Sequence, residues 1–169
     1  MGVQAAAPKE PRHPRPATSE TSVAFDALDR EILRLLQTDG RIKLSELGRR
    51  VRLSPAAVTE RVRRLEAAGV IGGYGAHVVP ARLGYGIQAF IRVNPHGGYN
   101  LKHPRTLELI ERPEIIEVHH AVGEDCWILK VAVRDTVHLE EVLEEVSALG
   151  RTTTSIVLTS PVERKPLLP

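Results

Sequence analysis

A chain of 169 residues with 42% hydrophobic and 26% charged side chains has the composition of a globular protein, with room for one ordinary domain or two small ones. No apolar run approaches the roughly eighteen residues of a membrane span, and the opening MGVQAAAPKEPRHPRPATSE lacks the apolar stretch of a secretory signal, so a cytoplasmic location without a membrane partner is expected. The net charge of +2 hides a local excess: Arg41, Lys43, Arg49, Arg50, Arg52, Arg61, Arg63 and Arg64 face only Glu46 and Glu60 between residues 41 and 64, a footprint suited to phosphate.

Residues 1–25 are rich in Pro, Ala, Ser and Thr without apolar periodicity and are expected to form a disordered tail. Three helices follow over residues 26–75. Leu28, Ile32, Leu35 and Leu36 recur at helical spacing until TDGR, residues 38–41, supplies a glycine stop. Leu44, Leu47 and Val51 mark a second short helix with Ser45 close to its start, broken near RLS at residues 52–54. Ser54 followed by Pro55 is an N-cap and first-turn pair for a third helix. Its buried stripe is Val58, Val62 and Leu65, and Gly69 ends it.

At 100° per residue, the direction opposite that stripe holds Ala56, Glu60, Arg63, Arg64 and Ala67, flanked by Ala57 and Thr59. Small residues near the N-terminus with arginines outward suit close approach to a major groove. The same face also reads as a solvated surface with a Glu60–Arg64 pair at i, i+4. Three short helices and the regional charge favour DNA. GVIGGYGAHVVP, residues 69–80, reads as a short strand or wing; it fails the dinucleotide fingerprint because Val78 stands at the third glycine position.

Residues 76–84 are expected to form a linker or strand, and residues 85–162 alternate element types. YGIQAFIRV (85–93) alternates like a strand, and Leu101, Leu107, Leu109 and Ile110 belong to a helix whose start Pro104 blurs. EIIEVHHAVG (114–123) and CWILKVAVRD (126–135) are strands joined at Gly123; TVHLEEVLEEVSALG is a helix, and TTTSIVLTSPV a last strand that Pro161 closes before a tail at 163–169. The order βαββαβ predicts a ferredoxin-like sandwich, so the fold class is α+β with a helix-turn-helix, winged-helix-like domain in front. Helices on one face leave the other face of the sheet open, a reason to pair with a second copy.

LDREILRLLQTDGRIKLSELGRRVRLSPAAVTERVRRLEAAGVIGGY, with its DGRI, LSP, ERVRRLE and GVIGGY segments, resembles the N-terminal helix-turn-helix of the Lrp/AsnC, or feast/famine, transcription regulators. The resemblance spans residues 26–162 and implies a homodimer, commonly built up to a tetramer or octamer, that binds double-stranded DNA. It implies groove contact by the third-helix face of Ser54, Ala56, Ala57, Thr59, Glu60 and Arg63. Arg63 is expected on a guanine or phosphate, Ser54 and Thr59 on phosphates, and Ala56 and Ala57 in apolar contact. Arg64 shares the outward direction, Arg61 points to the flank, and Arg41 and Lys43 are phosphate candidates.

The family also carries an amino-acid effector pocket at a Gly-acid-x-Asp-aromatic turn, which reads Gly123, Glu124, Asp125, Cys126, Trp127 here. Cysteine replaces the carboxylate that would partner an effector's ammonium, although a branch of the family carries this GEDC form together with the TTTSIV strand. Thr152, Thr154 and Ser155 match the strand that supplies further effector contacts. No cofactor is expected beyond this small-molecule effector.

Other classes find less support. Cys126 is the single cysteine, which excludes an internal disulfide and a paired-cysteine zinc motif. With His119 or His120 it is the one candidate nucleophile–base pair, and successive histidines on a strand cannot both face it. A metal-sensing repressor would draw on Cys126, His119 or His120, and His96 or His103, which lack local ligand spacing. Siroheme-type tetrapyrrole decarboxylases share the two-domain architecture but would need a basic, histidine-lined cavity.

Overall fold

The computed structural model of the protein describes residues 24–97, 100 and 102–169. Nearly all of the expected tail over residues 1–25 lies outside these, as does Leu101, expected as part of a helix. The chain divides into two compact units, one reaching to Ala76 and taking in Arg164–Pro169, the other His77–Glu163.

In the first unit, Asp26 and Asp29 cap helix α1 (Ala27–Thr38) reciprocally: the Asp29 amide donates to the Asp26 carboxylate at 2.8 Å, and the Asp26 amide to Asp29 at 3.3 Å. Helix α2 (Leu44–Val51) starts after Lys43, with Ser45 in its first turn as expected and no side-chain cap. Helix α3 (Pro55–Ala67) starts as expected: the Ala57 amide donates to Ser54 Oγ at 3.2 Å. Ile32, Leu36, Leu47, Val51, Val58, Val62 and Leu65 form the core, and Phe25, assigned by sequence to the tail, packs against it. An aromatic ring beside an apolar cluster gains too much by burial to stay in solvent.

The turn between α2 and α3 is tight. Arg52 adopts a left-handed conformation, φ 57°, and the Leu53 amide donates back to the Gly48 carbonyl at 2.8 Å. A Cβ on Gly48 would stand 2.8 Å from the Leu53 carbonyl oxygen and 3.3 Å from Val58 Cγ1, so only a glycine lets the two helices meet this closely. Beyond α3, Gly69 sits at φ 69°. The exit over residues 69–80 forms no wing strand; it runs without ladder hydrogen bonds into a 3₁₀ turn at Pro80–Leu83, since β-prone residues need a neighbouring strand to make a ladder. The expected C-terminal tail is docked instead. Gln37 Nε2 donates to the Leu167 carbonyl, the Leu167 amide returns to Gln37 Oε1, both at 2.9 Å, and Arg30 Nε donates to the Pro169 carbonyl at 3.1 Å.

The second unit has the expected order: β1 (Ile87–Pro95), α4 (Pro104–Ile110), β2 (Ile115–His120), β3 (Trp127–Val133), α5 (Thr136–Ser147) and β4 (Gly150–Ile156). The strands form one antiparallel sheet in the order β2-β3-β1-β4. Ala89, Ile91 and Val93 bury their side with Leu129 and Val131 against Leu109 of α4 and Leu139, Val142 and Val146 of α5. The last strand begins at Gly150 and ends at Ile156, well before Pro161; Val157 adds one more bond, its amide donating to the Gln88 carbonyl at 2.8 Å. Its partner β1 starts at Ile87, so there is no further backbone for residues 158–162 to pair with.

A polar network is buried where β2 meets α5. Arg134's amide donates to His138 Nδ1 at 3.3 Å, which leaves Nε2 carrying the hydrogen that it gives to Glu114 Oε1 at 2.9 Å. Arg112 Nε donates to Glu114 Oε2 at 3.1 Å and its other arm pairs with Glu145. Burial alone would raise the Glu114 pKa; the hydrogen bonds from Arg112, its own amide and His138 outweigh it and hold the carboxyl at about 2, below the ordinary 4.5.

Two predictions follow from this packing. Gly48→Ala gains about 1 kcal/mol of helix propensity but must displace a backbone carbonyl, so a net loss of about 1–2 kcal/mol in thermal unfolding is expected, and a gain would contradict the close packing. Because the folded-state pKa of Glu114 is depressed, its contribution is present above pH 4.5 and lost as pH falls towards 2. Urea unfolding at about pH 5 and about pH 2.5 should show that Glu114→Gln removes on the order of 2–3 kcal/mol of acid-dependent loss; an unchanged pH slope would contradict the assignment.

Candidate nucleic-acid interface and effector turn

Along α3 the basic residues separate into two kinds. Arg61 and Arg64, three residues apart, lie on the flank towards α1. Arg61 Nη1 donates to Asp26 at 2.7 Å and to Asp29 at 2.9 Å; Arg64 Nη2 donates to Asp29 at 2.5 Å. Asp29 is 1% exposed. Arg64 is half-exposed, as its outward direction implies, but its tip bends back to Asp29, and the Glu60–Arg64 pair of the solvated-face reading does not form among the described residues. Its long stem reaches a buried carboxylate that offers more Coulombic energy than a solvated glutamate one turn away. The signal was present in the sequence as two acids at i, i+3 opening α1 and two arginines at i, i+3 on α3.

On α2, Arg49 and Arg50 both bond Glu46, at 2.8 Å, with a direction of effect on that carboxyl that is the usual one for two guanidinia: its pKa is lowered. Arg41, Lys43, Arg52 and Arg63 are exposed and carry no ion pair among the described residues. The outer ridge of α3 is Ala56, Glu60 and Arg63, all exposed, with Ala57 and Thr59 half-buried beside it. Thr59 Oγ1 donates to the Pro55 carbonyl at 2.6 Å, so its hydrogen is taken; Ser54 Oγ accepts from Ala57 and keeps its hydrogen for another acceptor.

In the second unit, the register lines His120, Trp127, Val93 and Thr152 in one row across the sheet, and the 121–126 turn stands at that end. The Ala121 amide closes the turn on the Cys126 carbonyl at 2.7 Å, and Gly123 at φ 144° lets the chain reverse. Asp125 lies 3.9 Å from Arg92, and Glu124 3.9 Å from Arg151. Cys126 packs partly against the core and Trp127, at 3% exposure, lies within it.

Thr152 pairs with Val93 and Thr154 with Ile91, which places both threonines on the helix side; Ser155 pairs with Phe90 on the opposite face. Strand alternation thus separates Ser155 from the two threonines, and the three do not line one surface. His119 Nε2 lies 3.1 Å from Glu117 on the open face, and His120 is exposed, so no Cys126–histidine pair is assembled. Among the described residues no three of His, Cys, Asp and Glu gather as metal ligands, and no helix is long and apolar enough to cross a membrane.

The chain matches the AsnC-type helix-turn-helix domain over residues 25–66 and the Lrp/AsnC ligand binding domain over residues 88–167. It is 38% identical to the HTH-type transcriptional regulator LrpA of Mycobacterium tuberculosis over 138 residues, 80% of this chain and 91% of that one. It is 33% identical to the HTH-type transcriptional regulator FL11 of Pyrococcus furiosus, across 74% of this chain and 82% of that one. Among solved structures, a feast or famine regulatory protein from M. tuberculosis complexed with L-methionine superposes with a TM-score of 0.76 at 36% identity, covering 86% of this chain and all of that one. E. coli AsnC gives 0.74 at 28% identity, covering 85% and 98%. The capped three-helix unit, the open-faced sheet and these matches agree, and the chain belongs to the Lrp/AsnC family of HTH-type transcriptional regulators.

Proposed function

We propose that this regulator reads operator DNA with the Ala56, Glu60 and Arg63 ridge of α3, and that a small effector, an amino acid, binds at the 121–127 turn and alters its assembly. The observation that carries the DNA reading is the sorting of charge. Among the described residues, Arg63 carries no ion pair on the exposed ridge, Arg41, Lys43 and Arg52 carry none near the α2 ends, and the other arginines of α2 and α3 are engaged within the unit. Ser54, with a free hydroxyl hydrogen at the α3 N-terminus, suits a phosphate; Thr59 must first give up its bond to Pro55.

Assembly is supported by the open face of the sheet. Phe90, 38% exposed, and Ile128 share it with Lys130, which pairs with Glu117 at 3.0 Å. A mixed apolar and charged face of this kind suits an isologous contact between two copies. The relative complexed with L-methionine supports the effector class. In this chain the turn offers Asp125, already near Arg92, instead of a carboxylate at Cys126, and Thr152 and Thr154 on the helix side. An effector shifts assembly only if its affinity differs between assemblies.

The purified protein, screened against genomic fragments with and without each of the twenty amino acids, should select a few fragments and shift its mass by light scattering with one or a few amino acids. Absence of any selected fragment would contradict the DNA reading; selection with no amino-acid response would contradict the effector reading alone. Arg63→Ala should cost about 1–3 kcal/mol on selected fragments and relax their sequence preference; a uniform loss on all DNA would reduce Arg63 to a phosphate contact.

A further inference from the structure

We propose that Asp29 is a positioning residue for the recognition helix, which by holding Arg61 and Arg64 also withholds two cations from DNA phosphate and leaves Arg63 as the charged reader on α3. The inference rests on the DNA-binding reading above. Asp29 is buried, and its two oxygens take the Asp26 amide, Arg61 and Arg64. Arg61 is shared with Asp26, so the cluster sets two carboxylates against two guanidinia and is neutral as a whole. The Asp29 amide donates in turn to Asp26, which ties the cluster to the first turn of α1.

This arrangement has a mechanical and an electrostatic consequence. The bonds run from α1 to two points one turn apart on α3, so they resist rotation of α3 about its axis, which the apolar stripe of Val58, Val62 and Leu65 opposes only through packing. A small rotation would carry Ala56 and Arg63 off the groove. Arg64, with a half-exposed side chain, would otherwise be available to phosphate and add affinity for every sequence alike. The clasp therefore trades sequence-independent attraction for a fixed reading face.

The test is the salt dependence of binding by the full chain, measured on a selected fragment and on unrelated DNA, since each arginine brought to phosphate steepens the slope of log affinity against log salt by about 0.9. Arg64→Gln removes the charge while its amide can still donate to Asp29, which keeps Arg61 as its ionic partner, and should leave the slope as in the unmodified protein. Asp29→Asn keeps the volume and an acceptor for the Asp26 amide while removing the charge. It should steepen the slope by about 0.9 to 1.8 and lower the preference for the selected fragment about tenfold or more.

In the double variant the slope should return towards that of the unmodified protein while the lost preference persists. A slope that falls by about 0.9 in Arg64→Gln overturns the proposal, because Arg64 would then already lie on phosphate. So does Asp29→Asn with slope and preference both unchanged. If Asp29→Asn does not fold, the Arg64→Gln slope alone decides. Failure of the unmodified protein to select any fragment would instead remove the DNA-binding reading on which the proposal stands.

Discussion

Asp29 is 1% exposed and bonds two arginines from a helix that begins 26 residues later in the chain. A carboxylate this buried is tolerable only when its lone pairs are filled by charge-assisted donors, and losing one partner would leave the other charge stranded. That requirement ties the start of α1 to the flank of α3. It also explains how a helix with a buried stripe of only Val58, Val62 and Leu65 keeps a defined orientation while its outer ridge stays bare. Gly48 also supports α3: its missing side chain leaves room for the Leu53 carbonyl while the Leu53 amide closes the turn on the Gly48 carbonyl.

The second unit follows the same logic of one committed face and one free face. Its sheet buries Ala89, Ile91, Val93, Leu129 and Val131 under two helices, and the Glu114–His138–Arg112 network anchors α5 to the β2 approach. What remains uncovered is the face of Phe90, Arg92, Ile128 and Lys130 and the turn carrying Asp125. Gly150 fixes how β4 joins: a Cβ there would stand 2.1 Å from the Asn94 carbonyl oxygen, so the edge strand bearing Thr152 and Thr154 lies hard against β1.

Most of the fold was legible in the sequence, because periodicity and end signals agreed. The Ser54–Pro55 start of α3, the Asp26 start of α1 and the βαββαβ order each appear where the residues place them. The candidate site was legible only in part. Ala56, Ala57, Glu60 and Arg63 could be placed from helical angles, but the angles do not show that the guanidinium of Arg64 turns back to Asp29, since they locate a Cα and not the end of a long side chain. Thr154 and Ser155 are neighbours on one strand and face opposite sides in any register, so matching all three residues to one effector-contacting strand passed over an alternation the segment already carried. The wing over residues 69–80 shows that β propensity without a partner strand makes no sheet.

In the proposed reading the bare ridge of α3, and not the helices of the second unit, meets DNA. This is tested most directly by DNA cleavage from a chelated iron tethered to a cysteine introduced as Ala56→Cys, in a chain carrying Cys126→Ser, with Arg105→Cys on α4 as the comparison. Cuts from position 56 are expected within about one helical turn of the selected fragment, and none from position 105. Cuts from position 105 with none from position 56 would contradict the reading.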